Sequence, residues 1–197
     1  MNDILGYSTN IDDPNCHPNI LRKILEKGGN DYVSRYAAQN PNCPSDILRK
    51  ILEKGKDDLV SYYAAKNPNC PQDILRKILE KGGDDGVSWC AARNPNCPSD
   101  ILRKILERGN DDGLSCCAAL NLKCPPDILK MVLERGNNDD VSQCAAQNPN
   151  CPDDALINWM YNTGKIQKED PTKHIIEYDE EDKIDEDLEK LKKMVNY

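Results

Sequence analysis

Short apolar runs recur along this chain at a fixed interval, each followed by a polar turn. In residues 44–54, Ile47, Leu48, Ile51 and Leu52 fall at i, i+1, i+4 and i+5, a spacing that places side chains on one stripe of an α-helix. Pro44 suits the first turn, where a missing N–H costs nothing. Asp46 supplies a negative charge at the positive end of the helix dipole. Gly55 supplies the stop. The pattern predicts a first helix over Pro44–Lys54. Asp57 and Asp58 then have the character of N-cap residues. Val60, Tyr63 and Ala64, at i, i+3 and i+4, predict a short second helix that buries that face and ends at Asn67-Pro68. Its shortness leaves room for 3₁₀ geometry.

The unit is repeated. Asn-Pro-Asn-Cys-Pro stands at 40–44, 67–71, 94–98 and 148–152, with degenerate copies at 121–125 and 13–17. Cys16, Cys43, Cys70, Cys97, Cys124 and Cys151 are separated by 27 residues at every step. A unit this small cannot bury its apolar face alone, so the units must stack and supply one another's interior. The expected fold class is all-α: an αα solenoid of about five and a half 27-residue repeats. The expected organisation is an N-terminal cap at 1–12, in which Ile4 and Leu5 cover the first unit, and a helical solenoid at 13–164. An acidic tail follows at 165–197. Ala155, Leu156, Trp159 and Met160 read as a terminal first helix with altered residues. Ile184, Leu188, Leu191 and Val195 recur at helical spacing in the tail. That amphipathic helix either folds back on the last unit or docks on a partner.

The consensus Val-Ser-x-Tyr/Cys-Ala-Ala-x-Asn-Pro-Asn-Cys-Pro-x-Asp-Ile-Leu, as in Val60–Leu75 and Val87–Leu102, resembles the leucine-rich repeat variant family. The resemblance implies a right-handed superhelix of paired helices, an alpha horseshoe. Units of that family are usually a little shorter and often carry Arg after the second-helix valine. Here Ser34, Ser61, Ser88, Ser115 and Ser142 occupy that place. Nothing before Cys16 resembles the separate cysteine cluster that holds iron and sulfur in the family's founding member. The resemblance therefore speaks to fold more than to activity.

Composition agrees with an elongated form. Hydrophobic residues make up 38 % of the chain and Phe is absent, which is thin for one compact core. The formal net charge is −8; residues 165–197 hold seven Lys against eleven Asp or Glu, so half of it lies in the tail. A net acidic chain is a poor default for nucleic acid or an anionic membrane. No basic start followed by an apolar stretch is seen, and no apolar run approaches the ~18 residues of a membrane span. The expectation is a cytoplasmic protein with no membrane association.

The cysteines invite a metal reading. Sulfurs that share an ion lie within ~4 Å of one another, whereas equivalent residues of stacked helical units lie ~8–10 Å apart. Cys43 and Cys70 therefore share no ion, and the spacing exceeds the ~7 Å Cα limit for a disulfide. Cys90, Cys117 and Cys144 replace Tyr36 and Tyr63 and form a second ladder, expected on the buried face. The expectation is structural cysteine, no metal and no cofactor. Cys116 is the exception: its position predicts exposure and a candidate reactive thiol.

Other residues recur too. Asn40, Asn67, Asn94, Asn121 and Asn148 are expected to satisfy backbone groups in the turn between units. The acid pairs Asp57-Asp58, Asp84-Asp85 and Asp111-Asp112 are expected to be helix caps. First helices carry a basic stripe of Arg22, Lys23, Arg49, Lys50, Arg76, Lys77, Arg103 and Lys104, with Lys27, Lys54, Lys81 and Arg108 one turn on. One reading is a solvated outer face paired with Glu26, Glu53, Glu80 and Glu107, open to masking by the acidic tail. The alternative is a nucleic-acid backbone site, where regularly spaced cations displace counterions.

The positions that vary while the scaffold repeats are the most informative. Arg35, Tyr62, Trp89, Cys116 and Gln143 are equivalent on the second helices, with Gln39, Lys66, Arg93, Leu120 and Gln147 at i+4. Tyr32, Leu59, Gly86, Gly113 and Asp140 complete that face. Arg35, Tyr62, Lys66, Trp89, Arg93, Cys116, Leu120 and Gln143 form the candidate partner-binding set, since Trp, Tyr and Arg are enriched at binding hot spots. No recurrent nucleophile–base pair, phosphate-binding glycine loop or metal-ligand cluster is present. The expected function is a non-enzymatic scaffold for a protein or peptide partner.

Overall fold

The structure, a computed structural model, describes residues 10–167. The expected cap residues Ile4 and Leu5 and most of the acidic tail, with its amphipathic helix, lie outside the described residues. The described part is all-helical. First helices are α1 (Pro18–Glu26), α3 (Ser45–Glu53), α5 (Gln72–Glu80), α7 (Ser99–Glu107), α9 (Pro126–Glu134) and α11 (Asp153–Asn162). Second helices are α2 (Tyr32–Gln39), α4 (Leu59–Lys66), α6 (Gly86–Arg93), α8 (Gly113–Ala119) and α10 (Asp140–Gln147). Each helix packs on its pair partner and on its equivalents in the adjoining units, so the pairs form a single row. Neighbouring second helices approach one another more extensively than neighbouring first helices do. The row therefore bends with the second helices on its concave side.

The first helices form as their pattern requires. In α5, Ile74, Leu75, Ile78 and Leu79 are buried, and the outward residues are charged. Gly28, Gly55, Gly82, Gly109 and Gly136 follow α1, α3, α5, α7 and α9 with φ between +63° and +74°, a conformation that a Cβ disfavours. The second helices are α-helices throughout, not 3₁₀. Tightening is confined to the last bond, in which Asn67, Asn94, Asn121 and Asn148 donate to the carbonyl three residues back. Adjacent alanines, such as Ala64-Ala65 and Ala91-Ala92, are fully buried and allow the second helices to approach closely.

The buried stripe of the second helix differs from the expected one. Val60, Ser61, Ala64 and Ala65 are buried, whereas Tyr63 and its equivalent Tyr36 are only half-buried. Serine takes the place assigned to tyrosine because it has a local partner. Asp58 accepts the Ser61 N–H at 2.8 Å, and Asp31, Asp85, Asp112 and Asp139 do the same for their own serines. Beyond these backbone bonds, Asp31, Asp112 and Asp139 also accept hydrogen bonds from the side chains of Ser34, Ser115 and Ser142, and a buried hydroxyl so satisfied is cheap.

Three sets of bonds join one unit to the next. The Asn94 side-chain amide donates to Ala65 O at 2.6 Å and to Asn67 O at 2.9 Å, and its oxygen accepts the Asn96 N–H at 2.8 Å. Asn40, Asn67, Asn121 and Asn148 repeat this arrangement. Asn67, Asn94, Asn121 and Asn148 thus each satisfy an open carbonyl near the end of the previous second helix and add a second bond to a carbonyl that already accepts a turn N–H. Second, the acid pairs divide their work. Asp85 caps its own helix, while Asp84 accepts the Leu114 N–H at 2.9 Å and Asp111 accepts the Val141 N–H at 3.1 Å, each one unit ahead. Third, arginine–aspartate pairs link successive first helices.

The last described helix of the row is α11. Trp159 occupies the place of Ile51, Ile78, Ile105 and Val132, and it is 2 % exposed. Its indole N–H donates to Asn137 O at 2.7 Å, and the Lys165 ammonium lies 5.0 Å from the ring centre. No helix among the described residues is long and apolar enough to cross a membrane.

Candidate binding surface on the second helices

An eight-residue helix makes just over two turns, so only one narrow stripe of it can face outward. In α4 that stripe is Leu59, Tyr62, Tyr63 and Lys66, at i, i+3, i+4 and i+7. The equivalents in α2 are Tyr32, Arg35, Tyr36 and Gln39, and in α6 Gly86, Trp89 and Arg93, whereas Cys90, like Cys117 in α8, is buried as the ladder predicts and Cys144 is half-buried. The structure therefore brings Arg35, Tyr62, Lys66, Trp89, Arg93, Cys116, Leu120 and Gln143 onto one face, the concave side of the row. It adds Tyr36 and Tyr63, which the sequence reading placed inside.

Aromatic residues concentrate at the N-terminal end of this face. Tyr32 and Tyr36 have ring centres 4.3 Å apart and share a 2.7 Å hydroxyl hydrogen bond. Tyr62 and Tyr63 meet edge to face at 5.3 Å. Tyr32 is 64 % exposed, Leu59 45 % and Trp89 41 %, which is much for such large side chains.

Variation along the face is not independent from unit to unit. Tyr62 and Trp89 each lean on the next unit. The Tyr62 ring lies 3.4 Å from where a Cβ on Gly86 would stand, and the Trp89 ring only 2.8 Å from that place on Gly113. A large aromatic is thus accommodated by glycine one unit ahead. Trp89 is also held by its indole N–H, which donates to Asp84 at 2.5 Å. These rings are positioned by packing before any partner arrives.

Cys116 departs from expectation. It is half-buried, and its thiol lies against that of Cys144 on α10. Burial first, and then this contact, drives the Cys116 thiol far up, so it is a poor nucleophile. In the main ladder, burial pushes Cys43, Cys70, Cys97 and Cys124 up to about 12. All ten cysteines are free, and no group of three or more His, Cys, Asp or Glu among the described residues is placed to hold a metal ion.

The basic stripe of the first helices is reorganised. Arg22, Arg49, Arg76 and Arg103 do not pair with Glu26, Glu53, Glu80 and Glu107. Each makes paired hydrogen bonds to the first-turn aspartate of the next first helix: Asp46, Asp73, Asp100 and Asp127. Lys130 pairs likewise with Asp154 at 2.6 Å. The guanidinium holds each of these carboxyls below the usual aspartate range. Half of the candidate nucleic-acid stripe is thereby neutralised, which leaves Lys23, Lys50, Lys77 and Lys104 exposed. An open groove of about 430 Å³ lies between α3 and α5, lined by Leu52, Ile74, Ile78 and the charged Glu53, Lys77, Glu80 and Lys81. It is not on the second-helix face.

No family model matches the chain, and no curated protein or solved structure is similar to it.

Proposed function

We propose that this chain is a non-enzymatic scaffold that binds a protein or peptide segment along the concave stripe of its second helices. The carrying observation is the row of rings and cations on α2, α4 and α6: exposed Tyr32, Trp89, Lys66 and Arg93, with half-buried Tyr62 among them. Rigid aromatics lose little entropy on binding, and they sit beside cations that add specificity. The scaffold behind them is cross-linked by buried asparagines, so the face is preorganised. The nucleic-acid alternative keeps the exposed Lys23, Lys50, Lys77 and Lys104 but not free arginines, which are paired with aspartates, so the second-helix face is preferred. The same proposal relates the repeat to the leucine-rich repeat variant family, on its Asn-Pro-Asn-Cys-Pro units alone. It also places the chain in the cytoplasm, a reducing compartment suited to ten free thiols.

The test is a quantitative affinity for a captured partner, wild type against two variants. Tyr62→Ala with Trp89→Ala and Arg93→Ala removes the anchors. Lys66→Glu with Arg93→Glu reverses the charge and leaves the packing of Tyr62 and Trp89 in place. Both should weaken binding at least tenfold, with helical circular dichroism unchanged. Undiminished affinity in both rejects this face.

A further inference from the structure

We propose that the acidic segment 177–189 of this same chain docks across the ends of α4 and α6, on Lys66 and Arg93, as an intramolecular occupant of the concave face. Lys66 and Arg93 are the exposed last residues of equivalent helices in adjoining units, so their backbones lie about 8–10 Å apart. Both lower the Cys90 thiol against the larger effect of its burial, so both cations lie near the same part of the face. They differ from the arginines of the first helices. Arg22, Arg49, Arg76 and Arg103 are each matched to an aspartate, whereas Lys66 and Arg93 are in no ion pair among the described residues. The platform beside them is aromatic, built from Tyr62, Tyr63 and Trp89.

Charge sets where an acidic strand can lie. The opposite edge of the same helices carries Asp57, Asp58, Asp84 and Asp85, which repel it. Of the two edges of α4 and α6, the C-terminal one attracts it. The sequence supplies the complement: residues 177–187 contain eight Asp or Glu against the single Lys183, with Tyr178 among them. Reach is sufficient. From α11 to α6 is three units along the row, roughly 25–30 Å at one helix-packing distance per unit. The nine residues 168–176 span up to ~30 Å when extended. The chain from 168 to 189 is therefore long enough for its acids to reach both Arg93 and Lys66. This occupant requires no external partner, so the inference stands or falls apart from the function proposed above.

Zero-length carbodiimide coupling of the full chain at low salt, with peptide mass spectrometry, is the test. An equal mixture of light and heavy isotope-labelled chains separates contacts within a chain from contacts between chains. The Lys130–Asp154 pair, at 2.6 Å, is the internal control for coupling. The expected product joins Lys66 to a carboxylate between Glu177 and Glu189 within one chain. It falls roughly fivefold or more in Arg93→Glu and at high salt. If the control couples and Lys66 joins nothing in 177–189, the proposal is wrong. Products that join only light to heavy chains make the occupant a second copy and also overturn it. So does a Lys66 yield unchanged by Arg93→Glu.

Discussion

At the residue scale, the buried asparagine explains why the repeat keeps Asn-Pro so faithfully. Asn94 makes three hydrogen bonds to the backbone of the turn; two of them serve Ala65 O and the Asn96 N–H, while the third goes to Asn67 O, which also accepts the Cys70 N–H at 2.9 Å. Leaving buried polar groups unsatisfied costs about 1–3 kcal/mol each. Asn94→Ala should therefore destabilise by about 3 kcal/mol in urea unfolding, if the loss is partly relieved by water. Asn94→Asp keeps the shape and the acceptor but loses the donor, and it should be at least as harmful; a neutral N94D would show that the amide bonds contribute little. The cysteine ladder makes a second claim. A thiol pushed up to about 12 carries roughly a thousandfold less thiolate than an ordinary one. Cys43, Cys70, Cys97 and Cys124 should resist iodoacetamide in the native protein and react together on unfolding, read by mass spectrometry. Both ladders were legible in the sequence because identical residues at an identical offset must do identical work. Tyr36, Tyr63 and Cys116 were not. The second helix buries the same i, i+1, i+4, i+5 stripe as the first, but serine holds its second place and hides the pattern. Cys116 meets Cys144 at an offset of 28, a diagonal contact that a comparison of equivalent positions at 27 overlooks.

At the scale of the element, helix ends are tied to helix ends. The arginine–aspartate pairs lie 24 residues apart, an offset that only the stacking geometry reveals. By sequence alone the nearest acids were the glutamates one turn away. Because arginine depresses each aspartate in the folded state, the linkage has a definite sign. The stabilisation is fully present above the unfolded aspartate value of about 3.9 and is lost as pH falls through the lower folded values. Urea midpoints should be level down to about pH 5 and then fall toward pH 3. Asp46→Asn with Asp73→Asn and Asp100→Asn should flatten that fall. These pairs are exposed, so high salt should reduce their effect at neutral pH. Helix stops are firmer. Gly82 has φ +71°, and Gly82→Ala should cost about 1–2 kcal/mol of stability. Gly113 is a different case, because it lies in a helix where alanine is intrinsically preferred. Its Cβ would meet the Trp89 ring at 2.8 Å. Gly113→Ala should therefore expel Trp89 from its place, seen as increased acrylamide quenching of tryptophan emission with little loss of stability.

For the whole molecule, the absence of a shared centre decides how damage spreads. Each unit touches only its neighbours, so stability is close to a sum of unit and interface contributions. Among the described residues no second helix follows α11, and the large Trp159 side chain fills the place that isoleucine or valine holds elsewhere. That role was legible in outline, since a terminal unit must differ. The Asn137 bond that orients the indole was not, because it joins residues 22 apart across a turn. Trp159→Ala should cost about 3–5 kcal/mol, but the loss should be confined. Amide exchange should quicken in α9, α10 and α11 and stay near wild-type rates in α2–α5. Leu75, fully buried in the third unit, supplies the contrast. Leu75→Ala should cost about 2–5 kcal/mol and quicken exchange on both sides, because it weakens two interfaces at once. A globular protein of similar size would respond to either change by opening as one body. The difference between the two exchange maps, rather than the size of either loss, measures whether units support only their neighbours. Equal acceleration in every helix after Trp159→Ala would mean that the row unfolds as a single cooperative block.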